Sequence, residues 1–367
     1  MSGLKIDEPI TRSSKTAPTA RMCDLEPVTH LLTGACISRA GLNRKTGLAT
    51  LTLVLAAEAP DLDVFGYFGG SVEGFAHHRG FTHTLLGAPV VAAGVVCIVY
   101  GIYRLMMWRA WKPKLPPRWK LLFAYGLLAV LMHIFQDFTN HYGVRPFSPF
   151  HPRWYSWDIV FIIDPIMFAA LVLGLIVPGL LGLISEEVGA GKTQFRGRGG
   201  AVFALVCLAA VILFRSIEHR RAINSLNSLT YRGEEPLRVS AFPYPLSPFA
   251  WTGVVETQDF FDLLPVDSGS AQVDPQNRSV VIFKPEETPV TLAAKQSRLG
   301  RVYLDWAAYP LVTTEKLPGN TGYRVEFRDL RFTRPDTFSQ RSSTPLTGYV
   351  ELDPQLRVTD QYMGRPK

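Results

Sequence analysis

The sequence predicts a mainly α-helical polytopic membrane bundle of about four to six helices, followed by a C-terminal antiparallel β-rich domain. Three observations predict it. Up to about residue 217 the apolar residues come in long runs, whereas after about residue 220 they come as short alternating stretches. Lys and Arg outnumber Asp and Glu by 20 to 14 before residue 220, and by only 18 to 17 from there on. The basic excess therefore lies in the membrane-like half. Finally, His/Asp groups and Lys/Arg groups fall at alternating ends of successive apolar runs. The shift in pattern divides the 367 residues into a disordered leader (1–25), a helical bundle (26–217) and a soluble β-rich domain (222–367).

Each element follows from its own stretch. Residues 84–107 are apolar with Arg104 as the one interruption; at ~1.5 Å per residue they span about 36 Å, enough for a ~30 Å hydrocarbon core. The runs 121–136, 159–184 and 200–214 supply further helices, and Pro165 and Pro178 mark kinks in the second of these. Two shorter pieces, His30–Ala40 and Gly47–Ala59, read as a helical hairpin turned by GLNRKTG. In the tail, RVYLDWAAYPLV (301–312) and YRVEFRDLRF (323–332) alternate with period two, as half-buried strands do. WTGVVETQDFF and SVVIF have the same character.

The composition also excludes classes. The four cysteines form no CxxC pair, which argues against a disulfide framework or a thiolate metal site. Residues 1–25 are polar and contain no apolar stretch of signal-peptide type. Basic residues do not interleave with aromatics, so no nucleic acid is expected as a partner.

The chemistry gathers at one end. If the helices run up and down, His30, Asp61, Asp63, His78, His83, His133, Asp137, Asp158 and Asp164 all fall at the same end of the bundle. The basic turns fall at the other: Arg39, Arg44 and Lys45; Arg109 to Lys120; and Lys192, Arg196 and Arg198. The positive-inside rule places the basic end in the cytoplasm and the His/Asp end outside, facing the periplasm. An even number of crossings puts the C-terminal domain on the site's side.

His133 and Asp137 are i, i+4 on one helix face and offer one metal a nitrogen and an oxygen. His78 and His83, in HHRGFTHT, sit at a helix start, with Gly80 allowing the turn. In APDLD, Pro60 ends a helix, and an extended backbone points Asp61 and Asp63 the same way. Imidazole with carboxylate suits Zn²⁺, Mn²⁺ or Fe²⁺. Such an ion polarises an oxyanion or lowers the pKa of water to ~7, which suits hydrolysis. His141, His151 and His219 are not expected to be ligands. Two alternatives stand beside the hydrolase: a metal-ion transporter or sensor, and a membrane-anchored binding scaffold with a structural His/Asp cluster.

EPVTHLLTG, APDLD, HHRGFTHT and HIFQDFTNHYGVRPFSPF, in this order, resemble the YdjM-type inner-membrane, metal-dependent hydrolases of bacteria over about residues 26–184. The resemblance implies that His30, Asp61, His78, His83, His133 and Asp137 bind metal. Val64 stands where some relatives of that family carry histidine. The order of the motifs is also remotely similar to the zinc-dependent phospholipase C and P1 nuclease superfamily. That likeness points to a phosphoester or lipid-like substrate and to Asp158 as a further site residue. On this reading Asp63 or Asp158 serves as general base and Arg79 steadies a phosphate. Zinc is the expected metal. Membrane lipid and a small or lipid phosphoester are the expected partners, and the sequence names no protein partner for the tail.

Overall fold

The computed structural model describes residues 26–187, 197–270, 272–275, 278–335 and 346–365. The leader expected over 1–25, and Lys192 and Arg196, lie outside them. The N-terminal region is a helical bundle: α1 (Glu26–Arg39), α2 (Ala49–Glu58), α3 (Ser71–His77), α4 (Gly87–Trp108), α5 (Trp119–Thr139), α6 (Pro165–Glu187) and α7 (Arg198–Asn227). Three of these, α4, α5 and α7, are long and apolar enough to cross a membrane.

Two apolar cores hold the bundle together. Leu53 and Ala56 of α2, Ala92 and Val99 of α4, and Leu122 and Val130 of α5 form one. Cys36 of α1, Leu171 of α6, and Ala204 and Leu208 of α7 form the other. The hairpin α1–α2 joins the two halves. Its helices approach so closely that a Cβ at Gly34 would lie 2.7 Å from the Leu53 carbonyl, so only glycine fits there.

Among the described residues, Arg39 and Arg198 lie at the end opposite the His/Asp groups. Arg39 donates to the Leu175 carbonyl and Arg198 to that of Ala40, each at 3.0 Å. The second bond satisfies a carbonyl left open at the end of α1.

The C-terminal domain contains two antiparallel sheets. In the first, β1 (Arg238–Pro243), β2 (Ala250–Glu256) and β3 (Phe260–Asp267) form a meander, and both β4 (Gln272–Val273) and β5 (Val280–Phe283) pair with β3. The second has the order β6 (Pro310–Lys316), β7 (Tyr323–Asp329), β8 (Gly348–Leu352), β9 (Val358–Met363). Helices α8 (Pro289–Gln296) and α9 (Arg298–Trp306) lie between the sheets in sequence. Phe242, Val254 and Phe261 of the first sheet meet Leu311 of β6, with Tyr309 just before β6 and Leu330 just after β7, in one core.

Three expectations change. The stretch 301–312 is not one strand: its first half belongs to α9, and β6 begins at Pro310. Leu299, Tyr303 and Trp306 are buried at helical spacing, and Ser297 caps the helix by accepting from the Gly300 N–H. A short window can satisfy both periods, and the cap decides. Second, the last bundle helix is not a short run of 200–214 but 30 residues, about 45 Å long. It runs through the boundary expected near 217–222, and its final turns pack Ala222 and Leu226 against Trp251 and Leu264 of the first sheet. Third, α6 starts at Pro165 rather than near 159, because residues 159–160 pair back onto Thr139 and Asn140.

Asp164 caps α6 through Oδ1, which accepts from the Ile166 and Met167 N–H groups, while Oδ2 pairs with Arg215 of α7 at 2.8 Å. Both side chains of this pair are buried. Asp164→Ala would leave a buried, unpaired guanidinium and should cost about 3–5 kcal/mol, read as a lower Tm in detergent. The double change Asp164→Leu/Arg215→Met should recover most of that loss.

Candidate metal centre

Four side chains from three places in the chain converge. Asp61 comes from a run of 3-10 turns (Ala59–Gly69), His83 from the turn before α4, and His133 and Asp137 from the last turns of α5. One ligand atom from each lies within 4.8 Å of all the others. His83 Nε2 is 3.0 Å from His133 Nε2, 3.5 Å from Asp61 Oδ1 and 3.3 Å from Asp137 Oδ2. His133 Nε2 is 3.4 Å from both carboxylates. A tetrahedral ion with bonds of about 2.0–2.1 Å separates its ligand atoms by about 3.3–3.4 Å.

The ring protons sit on the far side. The Ala57 carbonyl lies 2.7 Å from His133 Nδ1 and can only accept, so His133 carries a proton there and turns Nε2 to the cluster. Asp63 Oδ2 lies 3.3 Å from His83 Nδ1 and does the same for that ring. Two imidazole nitrogens and two carboxylate oxygens therefore face one another. A further buried oxygen, Asp61 Oδ2, has no hydrogen-bond donor among the described residues.

Burial alone would lower the proton affinity of His83, but Asp137, Asp61 and Asp63 override it and hold the ring well above its ordinary value. This space attracts positive charge. Asp61, Asp63 and Asp137 are balanced here by Arg79, which leaves two negative charges for a divalent ion to neutralise.

The backbone is shaped for this. Helix α4 starts so close to the preceding turn that a Cβ at Gly87 would fall 2.0 Å from the Phe81 carbonyl. In HHRGFTHT the left-handed residue is Arg79 (φ 50°), not Gly80. The PDLD stretch coils in 3-10 turns rather than extending. Asp61 and Asp63 then reach opposite edges of one ring, His83 Nε2 and Nδ1.

Of the six residues expected to bind metal, Asp61, His83, His133 and Asp137 come together. His30 and His78 stand one step back. His30 Nε2 lies 3.4 Å from Asp137 Oδ1, the oxygen turned away from the cluster, and its ring stacks on His133 at 3.9 Å. His78 Nδ1 lies 3.3 Å from Asp63 Oδ1.

The residues expected to catalyse are also placed differently. Asp63 accepts from the Arg79 N–H at 2.6 Å as well as facing His78 and His83. Burial would raise its carboxyl, but the hydrogen bonds from His78 and His83 hold it well below the usual range. Three donors thus engage it, two of them imidazole nitrogens. Arg79 is buried and turned inward: Nη2 meets Asp137 at 2.9 Å and Nη1 donates to Asn140 Oδ1 and the Gly143 carbonyl. It holds Asp137 instead of presenting its charge to a phosphate. Asp158 lies in the α5–α6 loop, outside the four-residue group, and burial pushes it up to about 6, with Ser156 and Arg331 opposing.

Several residues at the site carried too weak a signal to be singled out. Glu58, three residues before Asp61, has a buried Oε1 and interacts electrostatically with His30, Asp61 and His133. Burial pushes it up to about 7, against the pull of His30. Gln136 bridges His30 Nδ1 and Thr33 Oγ1. Asn140 ties Arg79 to the Tyr142 N–H. Polar residues inside HIFQDFTNHY were the available signal.

The C-terminal domain packs on this end. Arg331 donates to the His141 carbonyl at 2.9 Å and to the Trp306 carbonyl at 3.0 Å, and pairs with Asp329. Trp306 Nε1 donates to the Tyr142 carbonyl, and the Tyr142 ring faces the Arg79 guanidinium at 4.7 Å. Segment 140–144 is thus held from inside by Arg79 and from outside by Arg331. His141 is buried beside Phe161, Phe242 and Phe332, and burial together with the Arg331 charge lowers it to about 3. It is no ligand of this group.

A membrane-type helical bundle with a His₂Asp₂ cluster at one end is the class this geometry defines. The chain belongs to the YdjM inner membrane protein family, whose match covers residues 25–222. It is also 25% identical over 325 residues to the uncharacterized protein YfhP of Bacillus subtilis, covering 86% of this chain and 84% of that one. No solved structure matches. The remoter likeness to the zinc-dependent phosphodiesterases is not shown by these comparisons.

Two outcomes are expected. Asp63→Asn, which loosens the orientation of His83, should weaken metal retention about 10–100-fold in a chelator competition; unchanged retention would contradict its role. The second concerns Asp158. Between its ordinary value of 3.8 and about 6, the folded protein holds a proton that the unfolded chain has released. Stability therefore falls as pH rises through about 6. Asp158→Asn, a residue tolerant of the φ of 58° there, should raise Tm most at pH 7.5, about half as much at pH 5, and change it little below pH 3.8.

Proposed function

We propose that this chain is a membrane-crossing, metal-dependent hydrolase that cleaves a phosphoester in a small or lipid-like substrate. The observation that carries the reading is the convergence of four ligand atoms, Asp61 Oδ1, His83 Nε2, His133 Nε2 and Asp137 Oδ2. These four residues would hold one divalent ion, with zinc the first choice for two imidazoles and two carboxylates. When bound, the ion supplies Lewis acidity and a water of lowered pKa.

The chain's own residues divide the remaining work. Asp63 and the Ala57 carbonyl fix the two rings, so the ligand nitrogens need no reorganisation. Arg79 and His30 hold Asp137 by its outer oxygen. With Asp63 engaged by three donors, we assign proton transfer to Glu58, the remaining carboxyl that faces the cluster. The cluster sits at helix ends, which suits a surface-facing reaction better than a transport path through helix midpoints. We further propose that the bundle crosses the membrane several times. The basic turns then lie in the cytoplasm, with the site and the C-terminal domain outside.

The test is hydrolysis of bis(p-nitrophenyl) phosphate and of vesicle-borne phospholipid by purified protein reloaded with Zn²⁺, Mn²⁺ or Fe²⁺. Activity should fall by at least 10³-fold in His83→Ala, which should stay folded in the membrane fraction. Glu58→Gln should lose most activity while keeping its metal. Equal activity in wild type and His83→Ala would overturn the reading.

A further inference from the structure

Helix α4 provides a ruler for depth. Its 22 residues rise about 33 Å, matching a ~30 Å hydrocarbon core. At its C-terminal end Trp108 is 80% exposed and the nearby Trp111 72%, as indoles at a headgroup boundary are. The other boundary then falls at the first turn, near Gly87. His83 lies four residues before that turn, so the metal centre sits within about one helical turn of the hydrocarbon edge.

The surface around the centre is apolar where an aqueous surface would be polar. Phe68 is 89% exposed and Phe150 82%, and Leu62, Phe65, Phe81 and Leu86 are each about half exposed. They come from three segments: the 3-10 run that carries Asp61 and Asp63, the turn that carries His83, and the loop after α5. The segments are joined, since the Leu85 N–H donates to the Pro146 carbonyl at 2.9 Å. The collar continues into the exposed face of α4 at Val90. A monomer seldom leaves so large an apolar patch in water, and removing large apolar side chains from water is favourable.

We infer that this collar is immersed in the lipid leaflet on the site's side, so that the metal centre opens sideways onto the headgroup layer. The ligand class is then an amphiphile whose polar ester lies at headgroup depth and which reaches the centre by lateral diffusion. The immersion stands on the collar and the helix length alone. The substrate class rests on the hydrolase reading above.

Immersion is tested by spin-label accessibility in phosphatidylethanolamine/phosphatidylglycerol liposomes. The full chain carries Phe68→Cys or Phe150→Cys after its four natural cysteines are replaced by alanine. Val90→Cys on α4 is the lipid reference, and Gln355→Cys, in the exposed β8–β9 turn, is the water reference. The oxygen-to-nickel-chelate accessibility ratio at 68 and 150 should lie within about twofold of the Val90 value. A ratio matching Gln355 would overturn the immersion, whatever the activity measurements give.

The lateral route is tested separately with Phe65→Asp/Phe68→Asp. Cleavage of vesicle-borne phospholipid should fall tenfold or more, with hydrolysis of bis(p-nitrophenyl) phosphate and metal content unchanged. Equal losses on both substrates, or no loss on either, would overturn lateral access.

Discussion

The arrangement depends on one electrostatic constraint: four potential ligand atoms meet in a buried space, and protons or a cation must stand between them. Two imidazole nitrogens 3.0 Å apart, each with its proton committed to the opposite edge of its ring, repel one another and the two carboxylates beside them. In a low-dielectric site such repulsion is costly unless a cation stands at the centre. The surrounding contacts are intelligible as the means of holding this arrangement. The Ala57 carbonyl and Asp63 fix the rings, Arg79 and His30 fix Asp137, and Asn140 and Tyr142 fix Arg79.

That dependence explains why two dissimilar parts of the chain share one end of the molecule. The bundle supplies the ligands, because helix ends bring together residues far apart in sequence. The C-terminal domain closes over the loop that anchors Arg79. Arg331 and Trp306 satisfy the carbonyls of His141 and Tyr142, which otherwise would be buried without donors. The second sheet's core also takes in Val72 and Phe75 of α3 together with Tyr142, so the two regions pack as one body at the site.

Much of this was legible in the sequence because membrane helices leave a strong signal. Long apolar runs fix where the helices lie, and polar residues at their ends stand out against them. The i, i+4 spacing of His133 and Asp137 and the PDLD and HRGFTH motifs pointed to the four residues that converge. What was not legible was rank. Nothing in the spacing separates His83 from His78, since only the fold shows that one ring faces Asp61 and the other faces Asp63. Arg79 looked available to a substrate because its sequence neighbours are polar; burial against Asp137 is a tertiary fact. Glu58 was overlooked because a lone acid at a helix end commonly meets solvent. In the tail, the 301–312 stretch alternates over a window too short to distinguish a strand from a helix in its first half, and the Ser297 cap settles it.

The most direct test of the central constraint is metal content. Detergent-purified wild type would be compared by mass spectrometry with His133→Ala/Asp137→Ala, which removes half the cluster and leaves the other helices intact. The account predicts close to one divalent ion per wild-type chain and none in the variant. A wild-type protein that holds no metal after reconstitution with zinc, manganese or iron, yet stays folded, would contradict it. The four facing atoms would then have to be reconciled by protons alone.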